Sequence, residues 1–317
     1  MAVAELRPSS LRTARSANEQ YRTVGGLRGQ WLVRLVVVVV VVLWLIPTVG
    51  ILVTSFRDPT LVTRSGWWTA VGALADAGQW TFGNYREVLV REGFGNAFLN
   101  SLAVAVPATV IPTVIGLFGA YALSWMRLPG RALWRALMVG LLVVPVQMAL
   151  IPVLRMYTGG VSLGGVPIVP ALNLTGTFVG VWLAHAGFGI PMAVYLLRSY
   201  LSEVPRELVE AARVDGASEW QILSRLMVPL ATPALASFAV FQFLWVYNDL
   251  LVALVFLGGD PNRAVVTQVL AGLAGSRGQA WHLLTAGAFV SLLLPLGVFF
   301  GLQRYFVRGL TAGSLKG

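Results

Sequence analysis

Residues 35–53 read LVVVVVVVLWLIPTVGILV, an apolar stretch without one charged side chain. A helix rises 1.5 Å per residue, so about 20 such residues cross the roughly 30 Å hydrocarbon layer of a bilayer. The β-branched run Val36–Val42 suits a lipid-facing or packed span and carries no chemistry. Ahead of it stand Arg7, Arg12, Arg15, Arg22, Arg28 and Arg34, a basic lead that superficially resembles a secretory signal. The apolar stretch is longer than a signal core, however, and no small-residue cleavage site precedes a soluble domain, so it reads as a retained first span.

Five more runs of this kind follow the first, which covers 33–55. They lie at 97–125, 133–154, 174–198, 231–257 and 283–305. The expected fold is all-α, a polytopic membrane protein with six transmembrane helices. A transmembrane barrel would show alternating segments of about ten residues instead. Composition agrees: of 317 residues 57% are hydrophobic and 11% charged, against about a quarter charged in soluble domains. With no cysteine, disulfides, thiol catalysis and thiolate metal sites are excluded. The organisation expected is a basic N-terminal tail over 1–32, a six-span domain over 33–305 containing a long loop at 200–228, and a C-terminal tail over 306–317.

The net charge of +10 raises nucleic acid as a partner, but its distribution points to membrane topology. With the N-terminus inside, inner segments hold the six leading arginines, then Arg127, Arg131 and Arg135, then Arg198, Arg206, Arg213 and Arg225, then Arg304, Arg308 and Lys316. That is sixteen of the 23 basic residues. Positively charged loops stay cytoplasmic, so both termini are expected there. The charges form four separate groups rather than one stripe interleaved with stacking aromatics, which excludes nucleic acid. Trp67, Trp68 and Trp80 in the outer segment after the first span suit an interfacial cap. The prolines within the spans, from Pro47 to Pro295, fit a transporter but are also common in spanning helices.

The loop at 200–228 reads as two short helices. Pro205 suits a first helical turn, and Glu207 and Glu210 favour the positive N-terminal end. This helix is expected to reach about Val214, with Gly216 permitting a tight left-handed turn. Ser218-Glu219-Trp220-Gln221 matches a capping box that starts a second helix, which Pro229 and Pro233 are expected to close. Small residues flank the turn, so another surface can approach closely.

The stretch EAARVDGASEWQILSRLMVPLATP (210–233) resembles the EAA loop of permeases in binding-protein-dependent ATP-binding-cassette (ABC) importers, with Glu210, Ala211, Ala212, Asp215, Gly216, Ala217 and Pro229 at the expected spacing. The resemblance extends to FLNSLAVAVPATV, GAYALSWMRLPGR, LAHAGFGIPMAVYLLRSY, FQFLWVYNDLLVAL and the terminal GSLKG, and is closest to the second permease of maltose and alpha-glucoside importers. It implies a transmembrane sugar permease working by alternating access. Its implied partners are a homologous second permease, two ATP-binding subunits that carry ATP and Mg, and an extracytoplasmic sugar-binding protein. Glu210 would pair with a basic residue of the ATPase, Gly216 would make the turn, and Ala211, Ala212 and Ala217 would allow close packing. The tail from Arg308 would either reach toward the ATPase or fray. Tyr247 departs from the tryptophan common in relatives at that position, which bears on how a sugar face is stacked.

A charge in hydrocarbon costs a few kcal/mol, and Asp249 is the one acid within the six runs. With Tyr247, Asn248, Gln147 and His185 it forms a candidate substrate pathway. Asp249 could equally pair with the partner permease, and His185 could be a satisfied interior histidine. In maltose-type relatives the sister permease makes most sugar contacts. His185 and His282 lack Glu or Cys at ligand spacing, so no metal site is expected. With no GxxxxGK[ST] sequence, this chain cannot itself cradle ATP phosphates, and no Ser, His and acid constellation suggests an enzyme. The alternatives are a permease for another delivered solute, such as a glycerol phosphate, and a proton-coupled secondary transporter in which only Asp249 could serve.

Overall fold

The structure, a computed structural model, describes residues 27–275 and 280–312, with side chains over 31–275 and 280–303. Most of the basic N-terminal tail and the last five residues lie outside the described residues. The first span is α1 (Leu27–Phe56). It leaves the whole of Val36–Val42 exposed and leans on the last span.

Between the first two spans the chain folds into a cap, with α2 (Pro59–Arg64), α3 (Trp67–Val71) and α4 (Gly83–Arg86) extended by a π turn over Glu87–Arg91. Its centre is Arg57, 2% exposed. The guanidinium donates to the carbonyls of Ser65 and Gly66, both at 2.9 Å, and to the Ser65 hydroxyl at 2.8 Å. The Asn84 amide donates to the carbonyls of Ser55 and Arg57. A buried cation needs this many acceptors to offset lost hydration.

The second span, α5 (Phe94–Trp125), and the fourth, α8 (Phe178–Leu201), make the most extensive helix contact. Gly116 explains their closeness: a Cβ there would lie 2.3 Å from the Ala193 Cβ. Small residues let helix backbones approach in this way when no hydrophobic effect drives them together.

The third apolar run, expected as one span at 133–154, is instead two helices, α6 (Arg131–Leu142) and α7 (Val146–Gly159), bent by 105°. Pro145 caps the second; it lacks an N–H and disfavours helical backbone at Val144, so the helix stops. Among the described residues five helices are long and apolar enough to span, and six segments if the bent pair counts as one. After α7 comes an antiparallel hairpin of β1 (Val161–Leu163) and β2 (Val166–Val169) turning at Gly164-Gly165.

Beyond α8 stand α9 (Arg206–Val214), α10 (Glu219–Gln221), a π turn over Ile222–Met227, and α11 (Val228–Tyr247). Pro229 and Pro233 do not close the loop's second helix. One apolar helical segment runs from Glu219 to Tyr247, because the π turn ends where Pro229 enters at the start of α11, and a proline is tolerated in a first helical turn. The fifth run, expected to reach 257, breaks after Tyr247 and resumes as α12 (Leu251–Leu257), followed by α13 (Val266–Ala274) and the last span α14 (Trp281–Ala312).

Three apolar clusters hold the described residues together, one of them joining the cap to α5, α13 and α14 through Val88, Phe94, Val266 and Ala286. Of the remaining two, one joins α5, α8, α11 and α12 around Val181, Phe243, Val252 and Phe256. The other, at the loop end, joins α5, α8 and α11 to the loop through Tyr121, Leu197, Val209 and Met227.

Candidate functional site

The loop stands against the spans on Val209 of α9 and on Ile222, Leu223 and Met227 of the π turn. Val209, wholly buried, pins α9 into the cluster with Leu201, Val204 and Ile222. The α9 residues on either side of it divide into two faces. Arg206, Glu210 and Arg213, spaced by four and three, line one groove. Leu208, Ala211, Ala212 and Asp215 line another of about 440 Å3, together with Gly216 and Ala217. Glu210, Ala211, Asp215 and Gly216 are exposed, whereas Ala212 and Ala217 are half-buried. Gly216 has φ +80°, the left-handed conformation that the turn requires.

The capping box closes as expected: the Gln221 amide N–H donates to Ser218 Oγ at 3.3 Å, and the Ser218 N–H donates to Gln221 Oε1 at 2.8 Å. Three contacts then tie the loop to α5. The Tyr121 hydroxyl donates to Glu219. Arg213, 2.9 Å from the same carboxylate, donates to the Trp125 carbonyl at 3.4 Å. Trp220 stacks on Phe118 with ring centroids 6.3 Å apart. A push on this loop therefore reaches α5 through side chains and α11 through continuous backbone.

The second candidate region is the break in the fifth span. Asp249 lies in the gap rather than inside a helix, and its Oδ2 accepts the Val252 N–H at 2.7 Å, capping α12. Its backbone carbonyl accepts from Thr267 Oγ1. His185 Nε2 is 4.0 Å from Asp249 Oδ2; the imidazole is 1% exposed and meets Trp245 edge to face. Tyr247 is buried, stacks on Phe243 and donates to the Ser291 carbonyl. His185, Tyr247 and Asp249 share a cavity of about 10 Å3, room for at most one water.

Asn248 and Gln147 do not join that cavity. Asn248 is exposed and donates to the Leu244 carbonyl of its own helix. Gln147 is exposed on α7. Ser101, which carried no sequence signal, lines the cavity and accepts the Val266 N–H, fastening α13 to α5. Among the described residues no group of three or more His, Cys, Asp or Glu could hold a metal ion.

A bundle of apolar spans with proline breaks, a broken fifth span and an exposed small-residue turn joined to two spans defines a class: a polytopic membrane transport protein. Residues 112–312 match the family described as the binding-protein-dependent transport system inner membrane component, and the chain belongs to that family.

The chain is 53% identical over 284 residues to the osmoprotective compounds uptake permease protein GgtD of Synechocystis, covering 90% of this chain and 91% of that one. It is 42% identical to the alpha-glucoside transport system permease protein AglG of Rhizobium meliloti, covering 90% and 97%. Among solved structures, a chain of a bacterial alginate ABC transporter, crystallised with alginate pentasaccharide-bound periplasmic protein, superposes with a TM-score of 0.63 at 14% identity. It covers 89% of this chain and 96% of that one, and shows the same fold.

Proposed function

We propose that this chain is the permease of a sugar importer, with an oligosaccharide or alpha-glucoside as cargo, and that the turn at Glu210–Ala217 is where a separate ATPase drives it. The observation that carries the reading is mechanical: the exposed turn is continuous with the fifth span from Glu219 to Tyr247 and bonded to the second through Tyr121. The sugar reading is supported by the alpha-glucoside relative and by a trehalose transport permease of Mycobacterium tuberculosis, 32% identical over 242 residues.

The assembly comprises this chain, a homologous second permease, two ATP-binding subunits that hold ATP and Mg, and an extracytoplasmic sugar-binding protein. Both termini and the loop are cytoplasmic, with the domain limits at 32 and 305. The Ala211, Ala212 and Ala217 face receives the ATPase, and Glu210 pairs with one of its basic residues. Closure of the ATP-binding subunits moves the loop, rocks α5 and α11, and opens the substrate pathway outward; hydrolysis returns it inward. Asn248 faces the pathway, while Tyr247, His185 and Asp249 hold the break in the fifth span, and Gln147 lies on the pathway's edge.

Purifying the intact complex tests this reading. An ATPase and a sugar-binding protein should travel with the chain. A complex that takes up sugar without any ATPase subunit would overturn it in favour of a secondary transporter.

A further inference from the structure

At the loop end of the bundle six arginines converge on one groove of about 780 Å3. Arg127, Arg131 and Arg135 come from the end of α5 and the start of α6, Arg198 from the end of α8, and Arg206 and Arg213 from α9. Glu210 is the one acidic side chain lining it. Two of the six are partnered: Arg131 donates to the carbonyls of Leu123 at 2.5 Å and Ser124 at 2.6 Å, and Arg213 pairs with Glu219.

Among the described residues, the guanidinium groups of Arg127, Arg135, Arg198 and Arg206 have no hydrogen-bond or ion-pair partner, and Nε of both Arg135 and Arg198 is buried without an acceptor. Arg135, Arg198 and Arg206 lie close enough to Arg131 for their charges to repel it. A buried N–H without an acceptor costs about 1–3 kcal/mol, and converging like charges add to that. The groove is complete only with an anion that offers several acceptor oxygens.

We propose that it binds the phosphate-bearing headgroup of an acidic phospholipid from the leaflet on the loop side. The groove opens where α5 ends at Trp125 and α8 at Leu201, the loop-side ends of two helices apolar and long enough to span. Trp125, Met126, Leu128 and Pro129 line it beside the arginines, supplying an apolar wall for the glycerol and upper acyl chain. A guanidinium fork matches phosphate oxygens two at a time. Because Arg206 and Arg213 sit on α9, a seated headgroup bridges the coupling loop to the ends of two spans. The leaflet named rests on the orientation proposed above; the site itself does not.

The test uses the purified complex in detergent, with native mass spectrometry counting bound phosphatidylglycerol and, separately, phosphatidylcholine. The wild type should retain phosphatidylglycerol. Arg135→Gln with Arg198→Gln should retain about thirtyfold less, since each basic residue near an anionic headgroup contributes about 1 kcal/mol. Arg64→Gln with Arg91→Gln, from the opposite end, should behave as wild type.

Equal retention in all three complexes overturns the proposal, as does full displacement of the lipid by millimolar inorganic phosphate, which would mark a soluble-anion site. Loss of the ATPase from the Arg135 and Arg198 variant with lipid retention unchanged also overturns it, assigning the groove to an acidic protein surface. Should that variant not assemble, the wild type decides: its unfolding midpoint should rise with phosphatidylglycerol and not with phosphatidylcholine, and equal midpoints contradict the site.

Discussion

Tyr121, one turn from the end of the second span, donates its hydroxyl hydrogen bond to Glu219, the first residue of the loop's second helix. Ninety-eight residues separate the two in sequence, and the bond makes the loop and the span one mechanical unit. Tyr121→Phe removes it while keeping the ring. A bond to a charged acceptor contributes about 1.5–3 kcal/mol, discounted here because Glu219 is about half exposed. We expect ATP-driven uptake to fall about fivefold, near 1 kcal/mol, with the amount of chain in the membrane unchanged. Unaltered uptake in proteoliposomes would show that force does not pass this way.

Gly216 has open space around it but a φ of +80°, so conformation rather than room limits what can replace it. A residue with a side chain pays about 1–2 kcal/mol in left-handed backbone, and asparagine least. Uptake should therefore rank Gly216→Asn above Gly216→Ala, and Gly216→Pro should abolish it. Capture of sugar by the binding protein should survive in all three. Equal uptake by the alanine and proline variants would count against a turn-dependent loop.

The approach of the second and fourth spans at Gly116 and Ala193 predicts a compensating pair. Gly116→Ala should lower stability by about 1–3 kcal/mol through overpacking, and adding Ala193→Gly should recover most of that. Thermal unfolding of the purified complex measures both. Additive losses would mean that the two sites do not share a contact.

Asp249 caps α12 and lies beside His185. Asparagine can still accept the Val252 N–H, whereas leucine cannot. Asp249→Asn should keep uptake within about twofold, and Asp249→Leu should lose the cap, a cost of about 1 kcal/mol, with less assembled complex recovered. Abolished uptake in a well-assembled Asp249→Asn transporter would instead make the carboxylate a pathway residue.

The spans and the two helices of the loop were legible because each rests on local pattern: an apolar run of membrane length, and a capping box at Ser218 whose two bonds form as the spacing implies. Breaks were harder. Pro145 ends a helix, whereas Pro229 and Pro233, like Pro107 and Pro112 in α5, ride inside a continuous one, so a proline in the sequence does not by itself mark a break. The hairpin at Gly164-Gly165 carried a turn signal hidden in an apolar stretch. Ser101 and Arg57 were not legible at all, since their partners, Val266 and the Ser65–Thr69 segment, meet them only in the fold.

The chain has no cysteine, so Ala211→Cys introduces a unique reporter on the small-residue face of the loop. In the assembled transporter that cysteine should cross-link to the ATP-binding subunit and be shielded from maleimide, with the cross-link yield changing on addition of ATP. Free labelling of Ala211→Cys in an assembled, transporting complex, with no adduct to the ATPase in either state, would contradict the account.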